Sequence, residues 1–185
     1  MRIFISDVRE MLAAGADKSI LARKLLAYGV EKLWGCAMPA ISKDEKGKPY
    51  FAGHEDMHFS LSHTKTHVLA AVSKHPVGAD IETIRPVKEA YKRLFSGEMY
   101  SAFGYFGGWT LREAVFKLRG EGALRSMDIR LENGEIVTPF EGVKCALYEG
   151  EDYAFAAASY GGDFPEGAEQ VAPERFLCKD YGAGA

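Results

Sequence analysis

Three short apolar runs follow one another in the middle of the sequence and are separated only by turns: HFSLSH, HVLAAVS and VGADIETI, within residues 58–84. The first run alternates polar and apolar residues, which is typical of a strand with one buried face. Lys74, His75 and Pro76 form the turn between the second and third runs, and a connection this short joins antiparallel strands. The middle of the chain is therefore predicted to be an antiparallel sheet in which the second and third runs pair.

Helical patterns lie on both sides of these strands. Residues 19–34 carry leucines near the helical period, although Gly29 could interrupt that helix at a cost of about 1 kcal/mol. After Pro86 a helical pattern returns in VKEAYKRLF, and past Gly107 and Gly108 it continues in WTLREAVFKL. Helical segments are therefore expected in both halves of the chain.

The remaining segments are predicted to be strands and loops. Residues 2–6 alternate as a short strand does. MDIRL and EIVTPF meet at Asn133 and Gly134, a strong hairpin signal, and KCALYE and YAFAAAS are predicted to form a second hairpin across Gly150. SKDEKGKPYF is predicted to be a polar loop, and the chain from Gly161 onward a loosely packed tail. The two halves therefore have a similar content of elements.

The composition places the chain among ordinary globular proteins. Of its 185 residues, 47% are hydrophobic and 26% are charged, which suits one domain or two small lobes with a shared core. Asp7, Arg9 and Glu10 interrupt the N-terminal apolar residues before these reach the length of a signal peptide, and no later stretch approaches about 18 apolar residues. We therefore expect a cytoplasmic protein without a membrane partner.

Cysteine content and charge argue against several other classes of protein. Cys36, Cys145 and Cys178 lack paired spacings, so reduced thiols are expected rather than disulfides or a zinc site. A net charge of −3 offers no general attraction to nucleic acid, and none is expected as a partner. Residues 83–130 nevertheless hold nine Lys or Arg and five Asp or Glu, which suits either an acidic partner or a solvated helix surface.

Asp80 and Glu82 stand two residues apart in a predicted strand. Side chains at this spacing point to the same face, so the two carboxylates converge while Ile81 faces the other way. Hard divalent cations such as Mg²⁺ prefer oxygen ligands of this kind and complete their coordination with phosphates and water. The pair indicates either a magnesium site or simply the wet face of a strand.

Glu113 and Lys117 lie four residues apart on a predicted helix and therefore on one side of it. They could pair with each other, as such residues do on many exposed helices, for about 0.3–0.5 kcal/mol. Alternatively, Glu113 binds a metal ion while Lys117 binds a phosphate oxygen. Helical geometry allows both roles at once.

Further polar residues and glycines lie at turns and strand ends. Lys48 falls in a tight turn, and Ser62 and His63 end the first alternating run. Gly120 and Gly122 suit either the end of a helix or a close approach of the backbone to a phosphate. Taken one at a time, all five have an ordinary structural explanation.

Taken together and in order, these segments resemble the 4′-phosphopantetheinyl transferases of the surfactin-synthetase-activating type. The order and approximate spacing agree with that family over about residues 20–160. The matching segments are GKPYF, HFSLSH, VGADIE, RLFSGE and WTLREAVFKLRGEGAL. Five weak signals in this order make one specific signature.

The resemblance implies a magnesium-dependent transfer from coenzyme A. Asp80, Glu82 and Glu113 would ligate Mg²⁺, which would bridge the diphosphate of coenzyme A. The acceptor would be a serine hydroxyl of an apo acyl or peptidyl carrier protein, and adenosine 3′,5′-bisphosphate would leave. Glu113, or a metal-bound water held by it, would take the serine proton.

The resemblance also implies which residues bind coenzyme A. Lys48, Ser62 and His63 would contact its phosphates, and Lys117 would contact its diphosphate. Ser60 stands where that family commonly has asparagine. One group of basic residues is a candidate for docking an acidic carrier protein: Arg112, Arg119 and Arg125. A second group is a candidate for binding the adenosine end of coenzyme A: Lys18, Arg23 and Lys24.

The fold implied by the resemblance is α+β, with two similar lobes related by a pseudo-two-fold axis. Each lobe would be an antiparallel sheet packed with a long helix, and coenzyme A would lie in the cleft between the lobes. We place the N-terminal lobe at residues 1–76, the C-terminal lobe with the metal ligands at 77–160, and a tail at 161–185. Because one chain would then build the whole cleft, a monomer is expected.

Two rival functions are compatible with parts of this pattern. A magnesium-dependent hydrolase of coenzyme A or a related nucleotide diphosphate would keep the metal site but use water as the acceptor. A non-catalytic module that binds carrier proteins would keep only the fold. Under the favoured interpretation, Asp80→Ala or Glu113→Ala abolishes transfer and leaves the fold intact, because crowded carboxylates contribute little stability without a metal ion.

Overall fold

The computed structural model of the chain describes residues 1–93 and 95–178. Its fold is α+β, with antiparallel sheets and helices. The helices are α1 (Arg9–Ala13), α2 (Lys18–Trp34), α3 (Glu89–Lys92), α4 (Gly97–Arg119) and α5 (Glu174–Leu177). The strands are β1 (Arg2–Asp7), β2 (Ile41–Lys43), β3 (Pro49–Phe51), β4 (His58–His63), β5 (His67–Ser73), β6 (Val77–Thr83), β7 (Arg130–Glu132), β8 (Glu135–Val137), β9 (Lys144–Glu149), β10 (Tyr153–Ser159) and β11 (Glu169–Gln170).

The first sheet has the strand order β11-β1-β5-β4, and α2 packs against it. Asp17 caps the N-terminus of α2 by accepting hydrogen bonds from the backbone N–H groups of Ser19 and Ile20. The predicted interruption at Gly29 does not occur, since α2 is continuous from Lys18 to Trp34. Gly29 instead allows close packing, because a Cβ there would lie 3.0 Å from the ring of Phe4.

The second sheet has the order β6-β10-β9, and α4 packs against it. Ser96 caps α4 by accepting a hydrogen bond from the backbone N–H of Met99. At Gly104 the backbone takes φ 63° and ψ −174°, so the helix is kinked there. Only glycine adopts that conformation without strain.

A third group of buried side chains lies between the two sheets and joins them. Ile3, Ile5 and Leu69 of the first sheet pack there against Ile81 and Phe155 of the second. Because side chains alternate across a strand, the opposite faces of the same strands face α2 and α4. The two sheets therefore share a core and are held in a fixed relation to each other.

Several sequence predictions are confirmed at the level of elements. Asn133 and Gly134 take positive φ values of 52° and 83° and join β7 to β8 in the predicted hairpin. The second hairpin is also present, because β9 and β10 pair in antiparallel fashion across Gly150. The three cysteines are free thiols, as expected.

The predicted pairing of β5 with β6 is wrong. β5 already has β1 on one side and β4 on the other, so neither of its edges is left for a third strand. β6 instead crosses into the second sheet and pairs with β10. The short turn at residues 74–76 therefore changes sheets rather than closing a hairpin.

Three other expectations also need correction. The segment expected to be a polar loop contains the hairpin of β2 and β3. The helix predicted in VKEAYKRLF is short, while α4 starts at Gly97 and includes Gly107 and Gly108. The expected tail is well packed up to α5, because β11 pairs with β1 and both Val171 and Phe176 are buried. Leu94, within that predicted helix, and residues 179–185 of the tail lie outside the described residues.

In the part of the chain that the structure describes, none of the helices has the length and apolar character needed to cross a membrane.

Candidate active site

Two serines of β4 reach across to β6, although the two strands belong to different sheets. The backbone N–H of Ala79 donates to Ser60 Oγ at 2.9 Å, and Ser60 Oγ donates in turn to the Ala79 carbonyl at 3.3 Å. Two residues further along β4, Ser62 Oγ donates to Asp80 Oδ1 at 2.7 Å. These contacts fix Asp80, which is only 6% exposed, against the end of β4.

Helix α4 approaches β6 unusually closely at Gly78. A Cβ atom at this position would lie 2.0 Å from the carbonyl oxygen of Ala114 and 2.4 Å from the backbone nitrogen of Leu118. Only glycine fits between these backbone atoms. The close approach places Glu113 and Lys117 of α4 beside the carboxylate of Asp80 on β6.

Lys117 binds Asp80 rather than Glu113. Its Nζ lies 2.7 Å from Asp80 Oδ1 and also donates to the carbonyl oxygens of Leu61 and Ala79, both at 3.2 Å. The simple helix-surface pair of Glu113 with Lys117 considered from the sequence is therefore not the arrangement found. A charge-assisted hydrogen bond instead ties α4 to β6 and to the end of β4.

The three predicted metal ligands influence one another electrostatically. Burial, and then repulsion from the Asp80 carboxylate, raises the pKa of Glu113 above its ordinary value, while Lys117 opposes the shift. The pKa of Glu82 is raised for the same two reasons, and Arg85, whose Nη1 lies 3.5 Å from Glu82 Oε2, opposes that shift. Burial and the neighbouring carboxylate therefore both disfavour the charged forms of Glu82 and Glu113.

The donor set and the charge suit a divalent cation. All three side chains offer carboxylate oxygens, the ligands that Mg²⁺ prefers, and a dication would relieve their mutual repulsion. Their side chains are not gathered into a ready-made centre, however. Among residues 1–93 and 95–178, no group of three or more His, Cys, Asp or Glu side chains has the geometry of a metal site.

Lys48 lies near the last turn of α4, in the turn of the small β2–β3 hairpin. Asp44 Oδ1 accepts hydrogen bonds from the backbone N–H groups of Lys46 and Lys48, which fixes this turn. The Nζ of Lys48 donates to the carbonyl oxygen of Leu118 at 2.7 Å, and burial lowers the pKa of this lysine. The β2–β3 hairpin, which was not predicted from sequence, therefore brings the Lys48 side chain to Leu118, the residue that follows Lys117 in α4.

A cleft of about 280 Å³ opens beside these residues. Among the residues that line it are Arg23 of α2, Ser62 and His63 of β4, and Lys117 of α4. A broader depression next to it is lined by further basic residues, including Arg9, Lys18 and Lys65. The cations Arg23 and Lys117 line this cleft, and the Asp80 carboxylate lies 2.7 Å from Lys117, which suits an anionic ligand that binds together with a metal ion.

The structure brings only part of the predicted site together in one cleft, since Lys48, Asp80, Glu82 and Glu113 are not among the described residues that line it. Ser62, His63 and Lys117 share the cleft, and Arg23, a candidate from sequence for the adenosine end of coenzyme A, lines it too. Gly78, which lets α4 approach β6, has no sequence signal that ranks it above other glycines, and Ser60 stands out only because the related family commonly has asparagine there. Only the contacts of the folded chain reveal their roles.

The expectation for Arg112 as a docking residue is wrong. Arg112 is only 4% exposed, its Nε donates to the Met127 carbonyl at 2.9 Å, and its guanidinium lies 4.3 Å from the centre of the Phe95 ring. Arg119 is also largely occupied, since its guanidinium stacks on Phe140 at 3.9 Å. Of the three arginines in that group, Arg125 is the exposed one.

Comparisons with curated proteins identify relatives along most of the chain. A 4′-phosphopantetheinyl transferase of Bacillus subtilis is 28% identical over 184 residues, which cover 88% of this chain and 82% of the relative. The 4′-phosphopantetheinyl transferase Sfp of Bacillus subtilis strain 168 is 31% identical over 157 residues, or 74% of this chain and 70% of the relative. A third relative, a 4′-phosphopantetheinyl transferase of Bacillus pumilus, is 31% identical over 137 residues, or 65% of this chain and 59% of the relative.

No family model matches the sequence. The extent and identity of the pairwise matches nevertheless show that the chain belongs to the 4′-phosphopantetheinyl transferase family, which confirms the resemblance seen in its motifs. It is accordingly an enzyme of the transferase class.

Proposed function

We propose that this protein transfers the 4′-phosphopantetheine group from coenzyme A to a serine of an apo acyl or peptidyl carrier protein. The reaction would depend on Mg²⁺ and release adenosine 3′,5′-bisphosphate. Membership of the transferase family supports the reaction class. The observation that carries the proposal for the site is the meeting of Asp80 and Lys117 at 2.7 Å beside a cleft lined by Ser62 and His63.

The acidic residues would hold the metal ion and manage the acceptor proton. Asp80, Glu82 and Glu113 would bind Mg²⁺, which when bound would neutralise charge on the diphosphate. The raised pKa of Glu113 brings this carboxylate nearer to the range in which a general base works well. Glu113 would take the proton from the serine hydroxyl as the oxygen attacks phosphorus.

The basic residues would bind and orient coenzyme A. Lys117 would interact with the diphosphate and offset the charge that grows on the leaving oxygen. Lys48 and His63 would contact phosphates, and Arg23 lies in the same cleft. Ser62 donates its single hydroxyl proton to Asp80. This contact supports a role for Ser62 in orienting the metal ligand, in addition to its place in the lining of the coenzyme cleft.

We also propose two similar lobes related by a pseudo-two-fold axis, at residues 1–76 and 77–160, followed by the segment 161–185. The pairing of α2 with the first sheet and of α4 with the second supports this division. Because the cleft takes residues from α2, β4 and α4 of one chain, a monomer would suffice for catalysis. We further propose that the enzyme acts in the cytoplasm.

Mass spectrometry of apo carrier proteins tests the proposal directly. A panel of acyl and peptidyl carrier proteins is incubated with the enzyme, coenzyme A and Mg²⁺, with chelator in place of Mg²⁺ as the control. We expect at least one carrier to gain the mass of a phosphopantetheine group, at its serine, only when Mg²⁺ is present. Adenosine 3′,5′-bisphosphate should appear in equal amount.

Other outcomes would point to other functions. Cleavage of coenzyme A with every carrier left unmodified would indicate a hydrolase. Binding of a carrier without modification or cleavage, with any divalent metal ion, would indicate a binding module. Transfer that persists unchanged in the chelator would contradict the magnesium dependence.

A further inference from the structure

Ser60 makes a two-way contact with the backbone of β6. Its hydroxyl oxygen accepts the hydrogen bond from Ala79 N–H at 2.9 Å and donates to the Ala79 carbonyl at 3.3 Å. Ser60 is 6% exposed and Ala79 is fully buried, so neither backbone group can turn to water instead. A buried polar group without a partner is strongly unfavourable.

The contact replaces a strand pairing that the fold does not provide. β6 pairs with β10 along one side, where Ala79 lies opposite Ala157. On its other side it meets β4, which belongs to the first sheet and pairs with β5. At this junction between the sheets, the Ser60 hydroxyl makes the hydrogen bonds to the N–H and C=O of Ala79 that a neighbouring strand would otherwise make.

The residue that Ser60 holds is the one immediately before Asp80. The Ala79 carbonyl also accepts a hydrogen bond from Lys117 Nζ at 3.2 Å, and the Asp80 carboxylate accepts from Lys117 and from Ser62. Ser60 therefore controls the backbone from which Asp80 extends and one of the acceptors that orient Lys117. Its hydroxyl bonds to Ala79 rather than to the Asp80 carboxylate, and Ser60 is not among the described residues that line the cleft.

We propose that Ser60 is a positioning residue for the transfer reaction, acting through Ala79 to place Asp80 for divalent metal binding. This inference rests on the proposed function of the Asp80 site. Groups that orient metal ligands from behind typically change metal affinity by about 10- to 100-fold when they are removed. A purely structural hydroxyl would instead lower stability without a selective effect on metal binding.

Ser159, the last residue of β10, offers a control. It is 2% exposed, donates to the carbonyl of Pro76 at 2.9 Å and accepts from the N–H of Gly161 at 3.2 Å. Ser159→Ala therefore removes a buried hydroxyl that likewise donates one hydrogen bond and accepts one, but whose partners, Pro76 and Gly161, lie away from Asp80. Both alanine variants should lose thermal stability.

The test is Mn²⁺ binding, followed by electron paramagnetic resonance of the free ion, to the wild type, Ser60→Ala, Ser60→Thr and Ser159→Ala. Ser60→Ala should bind Mn²⁺ about 10- to 100-fold more weakly than the wild type. Ser159→Ala should bind it normally, and Ser60→Thr, which keeps the hydroxyl, should restore most of the affinity. Coenzyme A binding, measured by calorimetry in chelator, should change less than Mn²⁺ binding does in Ser60→Ala, because Lys117 keeps its bonds to Asp80 and Leu61.

Ser60→Cys takes the place of Ser60→Ala if the alanine variant does not fold, because sulfur fills the space but accepts hydrogen bonds weakly. Equal Mn²⁺ affinities for Ser60→Ala and Ser159→Ala would overturn the inference, as would a wild type that binds no Mn²⁺. A wild type that binds Mn²⁺ but modifies no carrier protein would refute the proposed function alone. In that case the comparison of the two serines would still decide the role of Ser60.

Discussion

The three carboxylates of the site differ in how their charge is balanced. Asp80 accepts hydrogen bonds from Ser62 and Lys117 and is almost fully buried. Glu82 and Glu113 are only partly buried, and burial together with repulsion raises the pKa of each. Replacing one of these residues should therefore have effects on stability that depend on which residue is changed.

Glu113→Gln should abolish transfer without destabilising the fold. Transfer should fall by about 10²-fold or more, as expected for the loss of a general base. Because the folded-state pKa of Glu113 lies above its ordinary value of 4.5, the stability it contributes is present below that value and is lost as pH rises through the raised pKa. Urea unfolding in chelator should therefore find Glu113→Gln at least as stable as the wild type at pH 7.

The pH dependence supplies the control for this prediction. At pH 4 most Glu113 side chains are protonated in both the folded and the unfolded protein, so the difference from Glu113→Gln should largely disappear. A glutamine variant that is clearly less stable than the wild type at pH 7 would contradict the electrostatic account.

Asp80→Ala should also abolish transfer, but with a loss of stability, contrary to the expectation from sequence that the fold is left intact. The substitution leaves the Lys117 ammonium and the Ser62 hydroxyl without their shared acceptor. We expect a loss of about 1–3 kcal/mol in the free energy of unfolding, measured in chelator. Lys46→Ala, which removes an exposed ion pair with Glu121, should cost less than about 1 kcal/mol. Similar losses in the two variants would show that the Asp80 contacts add nothing special.

At the scale of elements, β6 is the structure on which the site depends. It pairs with β10 along one edge, lies against Ser60 of β4 along the other, and packs against α4 at Gly78. Its middle residues therefore have no freedom to shift. A substitution that moves β6 away from any of these neighbours should disturb Asp80 and Lys117 together.

Gly78→Ala should both destabilise the protein and abolish transfer. The added methyl group would collide with backbone atoms of Ala114 and Leu118, which cannot move aside as a flexible side chain can. Overpacking of this kind costs about 1–3 kcal/mol, and the clash with backbone atoms puts the expectation at the upper end of that range or above it. The measurement is thermal unfolding together with the transfer assay.

Gly97→Ala is the matched control for Gly78→Ala. Gly97 begins α4, and a Cβ there would meet nothing within 4 Å. This variant should be as stable as the wild type or slightly more stable, since alanine favours a helix over glycine. A stable and active Gly78→Ala variant would show that α4 and β6 can separate without harm to the site.

The elements that could be predicted from sequence are those whose signals are local. The hairpin at Asn133 and Gly134 follows from the turn residues alone, and α2 follows from its periodic leucines. The pairing of β6 with the second sheet could not be predicted. It occurs because β1, which is distant in sequence, pairs with the edge of β5 that β6 would otherwise use. The span of α4 was missed because Gly107 and Gly108 look like helix breakers, although they pack closely against Leu147 and Phe95.

The same distinction holds for the site. Charged residues at strand and helix spacings are common, so Asp80, Glu113 and Lys117 could be singled out only because the order of the motifs connected them. The partners of each could not be predicted. That Lys117 binds Asp80 rather than Glu113 depends on the distance between α4 and β6, which Gly78 sets.

At the scale of the whole molecule, the end of the described chain completes the first sheet. β11 pairs in parallel with β1, Arg2 forms an ion pair with Glu169 at 2.7 Å, and Phe176 of α5 is fully buried in the core beneath α2. The segment that follows β10 is therefore part of the same core as the first residues.

Phe176→Ala should destabilise the protein by about 3–5 kcal/mol, the usual cost of removing a buried aromatic side chain. Denaturant unfolding followed by tryptophan fluorescence is a suitable measurement, because Trp34 packs against the same core. Glu174→Ala, an exposed position on the same short helix, should change stability by less than about 0.5 kcal/mol. A Phe176→Ala variant as stable as the Glu174→Ala variant would mean that α5 contributes little to this core.

The pairing of β1 with β11 also means that the first sheet can be completed only late in synthesis. A ribosome makes β1 early, but the strand that covers its outer edge emerges only after both hairpins of the second half have been made. Until then that edge keeps unpaired N–H and C=O groups that could recruit another nascent chain. Interrupted translation should therefore yield aggregation-prone fragments rather than a free-standing first half.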